Sequence, residues 1–371
     1  MSTLTIRLGT RRSALATTQA ELVADRLREL GHVVEMVEIT TFGDTSTASL
    51  SSIGGTGVFA TAIRKALLTG EIDVAVHSLK DLPVAPEPGL LIAAIPVRED
   101  ARDALVARDG LTLGELPAGS VVGTGSPRRA AQLAALGLGL RVADIRGNVD
   151  TRISLVHNGS LDGVLLARAG LIRLGRLDEV TESLDPLQML PAPGQGALAV
   201  ECREDRPDLI EALAPLDDPD TRACVSAERA LLAALEAGCT APIGALAEVV
   251  EGEHGTELFL RAFVGSVDAS IALRRSSLGR LDEPERLGRD LAAVLLEDGA
   301  ADVTAPDGTA PGIAAPDVTA PRSEAPAGGA RPPDQPEASG SEGSLAAETS
   351  QPDAPQPDAS RPDQTATERA S

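Results

Sequence analysis

The chain of 371 residues has no tryptophan, no tyrosine and four phenylalanines. Proteins that grip single-stranded nucleic acid stack bases on aromatic rings, so that class of function lacks its materials here. Positive charge is also in short supply: 33 Lys and Arg stand against 55 Asp and Glu, for a net charge of −22. A surface of that sign repels nucleic acid and anionic membranes. No run of 18 apolar residues occurs, so no transmembrane helix is expected. The opening residues, Met1-Ser2-Thr3-Leu4-Thr5-Ile6-Arg7, lack the apolar core of a signal peptide. Cysteine is scarce and odd in number, with Cys202, Cys224 and Cys239 at no metal-type spacing. The expectation is a cytoplasmic protein in a reducing compartment, with no structural zinc.

What is present divides into two kinds of sequence. From about Ala305 to Ser371 there are 12 prolines and 11 acidic residues against 4 basic, in recurring units such as TAPDGTAP and APDVTAP. Such a segment cannot bury enough apolar surface to offset the entropy of ordering, so residues 305–371 are expected to be a disordered acidic tail. The first 215 residues instead alternate strand and helix. The patterning predicts strands over Leu4–Leu8, Val33–Ile39, Ile72–His77 and Leu90–Ile95, with helices over Ser13–Leu30 and Phe59–Leu68. A second set follows, with strands Val121–Gly123, Val142–Ile145 and Gly163–Leu166 and helices Pro127–Leu136 and Val149–Asn158. This rhythm predicts an α/β fold with mainly parallel sheets. Ala197–Cys202 reads as a further strand that could return to the first sheet. From Pro219 the order changes to a long helix, three strands and a helix near Glu285–Leu296, as in a small α+β domain.

Basic residues are few, yet they gather at strand-to-helix turns. Gly9-Thr10-Arg11-Arg12-Ser13 is one, Gly123-Thr124-Gly125-Ser126-Pro127-Arg128-Arg129 the second, and Arg146-Gly147-Asn148-Val149-Asp150-Thr151-Arg152 the third. A helix start offers free N–H groups and partial positive charge, and guanidinium forks add carboxylate or phosphate recognition. In open α/β sheets such turns line one crevice, so an anionic ligand is expected. The glycines of these turns and of Gly54-Gly55-Thr56-Gly57 complete no phosphate-loop pattern. His77-Ser78-Leu79-Lys80-Asp81-Leu82-Pro83 ends a strand and sets a carboxylate beside an ammonium at the same crevice. Acid/base work or stabilisation of a cation fits that place. His77 is read as a packed strand-end residue. Cys239 lies in Glu236-Ala237-Gly238-Cys239-Thr240-Ala241-Pro242-Ile243-Gly244, a glycine-flanked loop after the helix over Pro219–Leu235. A thiol there is accessible to a bulky partner, although most free cysteines are small buried hydrophobes.

In order along the chain, HSLKDLP, GTGSPRR, RGNVDTR, LARAGLIRLG, LPAPGQGALAVECR and EAGCTAPIG resemble the porphobilinogen deaminase (hydroxymethylbilane synthase) family, from Arg7 to about Ala301. The resemblance implies two lobes like those of periplasmic binding proteins, residues 1–96 with 197–216 and residues 97–196, then a third domain over 217–304. It implies a dipyrromethane cofactor on Cys239 through a thioether, built from two porphobilinogen units. Four more porphobilinogens add head to tail, each losing ammonia, and hydrolysis releases hydroxymethylbilane. Loss of ammonia leaves a cationic azafulvene that a carboxylate would stabilise, and Asp81 takes that catalytic role by resemblance. Each pyrrole carries two carboxylates, which gives the arginines a purpose. Lys80, Ser126, Arg128 and Arg129 are assigned with Asp81 to the cofactor, and Arg11, Ser13, Arg146, Arg152 and Arg173 to the substrate. A monomer acting on a small molecule is implied, with no nucleic acid or membrane partner.

The sequence departs from the family at two positions. The family loop reads GGKGLF and is followed by another lysine, whereas Thr56 and Thr61 stand here. Arg64 and Lys65 are the nearby cations that could replace them. Cys202 and Cys224 are read as packing residues. The competing reading is a dicarboxylate-binding protein built on the same two lobes, in which Cys239 and Asp81 would be incidental.

Overall fold

The computed structural model describes residues 3–40, 60–236, 241–252 and 255–304. The expected tail over 305–371, the loop Gly54–Phe59 and Cys239 itself lie outside the described residues.

The chain begins with β1 (Thr5–Thr10), α1 (Ala14–Glu29), β2 (Val33–Glu38), α2 (Thr61–Leu68), β3 (Val74–Ser78) and β4 (Leu90–Ala94). It continues with β5 (Asp103–Ala107), β6 (Val121–Gly123), α3 (Pro127–Ala135), β7 (Arg141–Ala143), α4 (Val149–His157), β8 (Gly163–Ala167), α5 (Arg168–Arg173) and β9 (Glu182–Ser183). Then come β10 (Leu198–Arg203), α6 (Pro207–Leu213), α7 (Pro219–Ala234), β11 (Ile243–Gly252), β12 (Gly255–Gly265), β13 (Ala272–Arg280), α8 (Pro284–Glu297) and α9 (Ala301–Thr304).

The strands make three sheets among the described residues. The first has the order β2-β1-β3-β10-β4, and the second β7-β6-β8-β5-β9. Both follow one plan. Three strands run parallel, as strand–helix–strand crossovers require, and an antiparallel strand is inserted next to them. That inserted strand is supplied by chain passing between the sheets: β10 returns to the first sheet after the second is complete, and β5 opens the second. The two passages touch where the Glu99 N–H meets the Gly196 carbonyl at 3.3 Å. Gly196 is required there. Its φ is +89°, and a Cβ would sit 2.3 Å from the Glu99 carbonyl oxygen.

The sequence pattern predicts most of these elements to within a few residues. It does not predict β5, β9, α5, α6 or α9. β5 follows the charged cluster Glu99-Asp100-Ala101-Arg102 and is buried along its whole length, so alternation has nothing to mark it. α5 has six residues, too few for a helical period to declare itself.

The third sheet is the antiparallel meander β11-β12-β13. The helices α7 and α8 cover one face, where Leu231, Leu258, Leu260, Leu291 and Leu295 are all buried. Each such leucine stabilises the fold by about 1.5–3 kcal/mol relative to exposure. Gly288 lets the helices approach: a Cβ there would lie 2.3 Å from the Ala227 carbonyl oxygen.

Candidate active site

The first half of the site sits at strand ends of the first sheet. Ser13 caps α1, accepting from the Ala16 N–H at 3.3 Å. β3 ends in a single tight turn, Leu79–Asp81, which buries Leu79 and leaves Asp81 exposed. A cavity between these turns is lined by Arg11, Ser13, Gln19, His77, Ser78 and Asp81. The fold thus brings Arg11, Ser13 and Asp81 to one opening. Gln19 Nε2 donates to Ser78 Oγ at 3.1 Å across its floor.

Beneath the cavity lies a buried ion pair that the sequence did not announce. Glu201 of β10, 2% exposed, accepts from the Nε–Nη2 edge of the Arg64 guanidinium, with Nη2 at 2.8 Å from Oε1. His77 Nε2 lies 3.3 Å from Glu201 Oε2. Burial raises the Glu201 carboxyl, but His77 and Arg64 outweigh it and hold the group below its ordinary value. This corrects one expectation: Arg64 of α2 spends its charge on Glu201 of the first sheet and is not a spare cation in place of a lysine. The signal was available, since a carboxylate inside the apolar run ALAVEC needs a buried partner.

The second half sits on β5 and α3. Ser126 occupies the N-cap position with Pro127 following, yet its hydroxyl makes no capping bond. Arg128 and Arg129 are both buried, at 4% and 5% exposure. They converge on Asp103, which is fully buried: Arg128 Nη1 lies 2.7 Å from Oδ2 and Arg129 Nη2 2.7 Å from Oδ1. Burial by itself would raise the Asp103 carboxyl, but the two arginines hold it well below the carboxylate range. Sequence reasoning missed Asp103, because nothing in the stretch Glu99–Asp103 separates a buried acid from its solvated neighbours.

The two halves are joined by a glutamine. Gln195 Nε2 donates to Asp103 Oδ1 at 2.9 Å, and its Oε1 accepts from Lys80 Nζ at 3.2 Å. Burial lowers the Lys80 ammonium to about 8; Asp81 and Asp103 oppose that shift, while Arg129 and Arg128 add to it. Arg152 donates from Nε to the Gly147 carbonyl at 2.9 Å and is lowered to about 10 by burial, then by Arg129 and Arg146. Arg146 lies 3.6 Å from Asp144. The groups that perturb one another here are therefore Lys80, Arg128, Arg129, Arg146 and Arg152, with Asp81, Asp103 and Asp144 opposing them. Positive charge is in excess within a chain of net −22.

Arg173 is placed differently. It donates to the Gly196 carbonyl at 2.6 Å, at the passage between the sheets, and burial lowers it. Arg229 of α7 was missed by the sequence reading and grips the Asp81 turn from behind. Its guanidinium donates to the Leu82 carbonyl at 3.2 Å and the Pro83 carbonyl at 2.7 Å. The same helix leads to the Cys239 loop, whose described flanks are Glu236 and Ala241. Cys202 and Cys224 are buried, and burial pushes their thiols up to about 11 and about 12. Thiols held protonated in this way are packing residues. Among the described residues no three His, Cys, Asp or Glu side chains gather as a metal ion would need, and no helix is long and apolar enough to cross a membrane.

A family model described as "Porphobilinogen deaminase, dipyromethane cofactor binding domain" matches residues 6–211, and one for the "C-terminal domain" of the same family matches residues 222–297. The porphobilinogen deaminase of Mycobacteroides abscessus is 60% identical over 300 residues, which is 80% of this chain and 98% of that protein. This chain belongs to the porphobilinogen deaminase family. The porphobilinogen deaminase of Mycobacterium tuberculosis is 59% identical over 303 residues, again 80% of this chain and 98% of that protein. A solved periplasmic substrate-binding protein from Coxiella burnetii aligns with 60% of this chain and 96% of its own at 14% identity and a TM-score of 0.38.

Family membership decides between the enzyme and the binding protein. A porphobilinogen deaminase is a transferase of tetrapyrrole biosynthesis that condenses four porphobilinogens head to tail on a dipyrromethane cofactor and releases hydroxymethylbilane. The residues described here suit that cofactor. Among the described residues Arg128 Nε is buried without a hydrogen-bond partner, and Lys80 and Arg152 donate to the neutral oxygens of Gln195 and Gly147. A group bearing four carboxylates supplies the acceptors that such donors lack.

Proposed function

We propose that Asp81 is the catalytic carboxylate of this porphobilinogen deaminase and that Cys239 carries the dipyrromethane. The observation that carries the reading is the convergence of Arg11, Ser13 and Asp81 on one cavity, beside a cation cluster reached through Lys80. When bound, the dipyrromethane supplies the pyrrole to which the first porphobilinogen is joined. The chain's own groups divide the remaining work. Arg11 and Ser13 hold the carboxylates of the incoming substrate. Asp81 accepts from pyrrole N–H groups and stabilises the positive charge that develops as ammonia leaves. Lys80, Ser126, Arg128 and Arg129 hold the cofactor, and Arg146, Arg152 and Arg173 hold the lengthening polyanion.

The site needs only one chain, which supports a monomer with porphobilinogen as its partner. The net charge of −22 supports the absence of nucleic acid and membrane partners, and the buried thiols suit a cytoplasmic location. Three domains are proposed, over 1–96 with 197–216, over 97–196 and over 217–304, with residues 305–371 as a tail. The paired passages between the first two sheets support that division.

The test is an intact-mass measurement. Purified protein should exceed its polypeptide mass by two condensed porphobilinogen units, mapped to Cys239. Cys239→Ser should lack both adduct and activity. An adduct on Cys202 or Cys224 would sink the assignment.

A further inference from the structure

Gln195 is fully buried on the passage that leads into β10. Its amide has an asymmetric setting. Nε2 faces three oxygens: the Ala101 carbonyl at 2.7 Å, Asp103 Oδ1 at 2.9 Å and the Arg102 carbonyl at 3.3 Å. None of these has a proton to give, Asp103 being held ionised by its arginines. Turned over, the amide would aim Oε1 at all three, so its orientation is fixed. Oε1 is therefore committed to Lys80.

We infer that Gln195 is a positioning residue for the condensation: it holds Lys80 beside Asp81 by tying it to the Asp103–Arg128–Arg129 cluster, with a neutral acceptor that leaves the ammonium's charge for a pyrrole carboxylate. The inference rests on the reading of Lys80 as a ligand of those carboxylates. A glutamate at this position would neutralise Lys80 and repel Asp103. An apolar residue would release Lys80 altogether. The groups that face Lys80 are Asp81 on its own turn, Asp103 on β5, and Arg128 and Arg129 on α3. Because burial already brings the ammonium down to about 8, a changed acceptor moves its titration within the working pH range.

The test uses the full chain with Gln195→Met and Lys80→Met, singly and together, and Gln195→Glu as a separate variant. Turnover of porphobilinogen is one readout. The other is the pH at which Lys80 is half reactive toward trace acetylation, read by peptide mass. Gln195→Met should lower kcat on the order of tenfold to a hundredfold, as misplacement by about an ångström does. It should also lower the Lys80 midpoint, and it should cost nothing further once Lys80 is Met. Gln195→Glu should raise the midpoint. Losses that multiply in the double variant, or a Lys80 midpoint unmoved by both Gln195 changes, overturn the inference. Unimpaired Lys80→Met refutes the ligand role of Lys80 and the inference with it. Impaired Lys80→Met beside unimpaired Gln195→Met refutes the inference alone.

Discussion

Glu228 receives both ends of the Arg98 guanidinium, at 2.7 and 3.1 Å. The carboxylate is fully buried on α7 and also accepts the Gly194 N–H at 2.6 Å and the Ala247 N–H at 2.9 Å. One side chain thus ties the passages between the first two sheets to the third sheet. The next residue, Arg229, holds the Asp81 turn. Glu228→Gln preserves the shape but leaves Arg98 without its anion, which should cost about 3–5 kcal/mol. Urea unfolding measures it, and a loss under about 1 kcal/mol would show that neutral hydrogen bonds suffice.

Asp81 carries charge rather than packing, because its side chain is exposed. Asp81→Asn should fold normally and lose turnover on the order of 10²-fold or more. Steady-state rates and a melting curve on one preparation separate the two effects. Near-normal turnover would assign the stabilisation of positive charge to another group.

Asp103 predicts a pH dependence of stability. Its carboxyl is held far below the ordinary range by Arg128 and Arg129, against the effect of burial. A group depressed in this way contributes stability above its unfolded value of about 3.9, and that contribution is lost as pH falls below it toward the folded value. Asp103→Asn should therefore be the less stable protein at pH 7. The gap should narrow as pH falls below about 4. A gap that stays constant down the pH series would show that the ionised form is not what matters.

The arginines should fail in different ways. Arg146 and Arg152 act on each other within the cation cluster, whereas Arg173 reaches the Gly196 carbonyl at the passage between the sheets. Removing a guanidinium that pairs with a carboxylate should cost roughly 2–5 kcal/mol. Arg146→Leu, Arg152→Leu and Arg173→Leu should then stall at different chain lengths on Cys239 after brief exposure to porphobilinogen. Intact mass reads the distribution directly. Identical distributions would mean that these residues do not handle the growing chain.

The roles expected of Asp81, Lys80 and Cys239 come from the resemblance to the family, whereas the sequence by itself determined the alternation of strands and helices and the gathering of arginines at strand-to-helix turns. These follow from local facts: periodicity, glycine and proline at turns, and residue types at helix starts. Tertiary structure decided which charges are used up and which remain. Arg64 reads like any helix cation until β10 brings Glu201 against it from 137 positions away. Arg128 and Arg129 read as a ligand pair, yet both are anchored to Asp103, on a strand that has no pattern because every residue of it is buried. Gln195 carries no signal of its own, since a neutral amide matters only through what surrounds it. Buried electrostatics depends on partners far apart in sequence and on the low polarity around them, and neither is written locally in the chain.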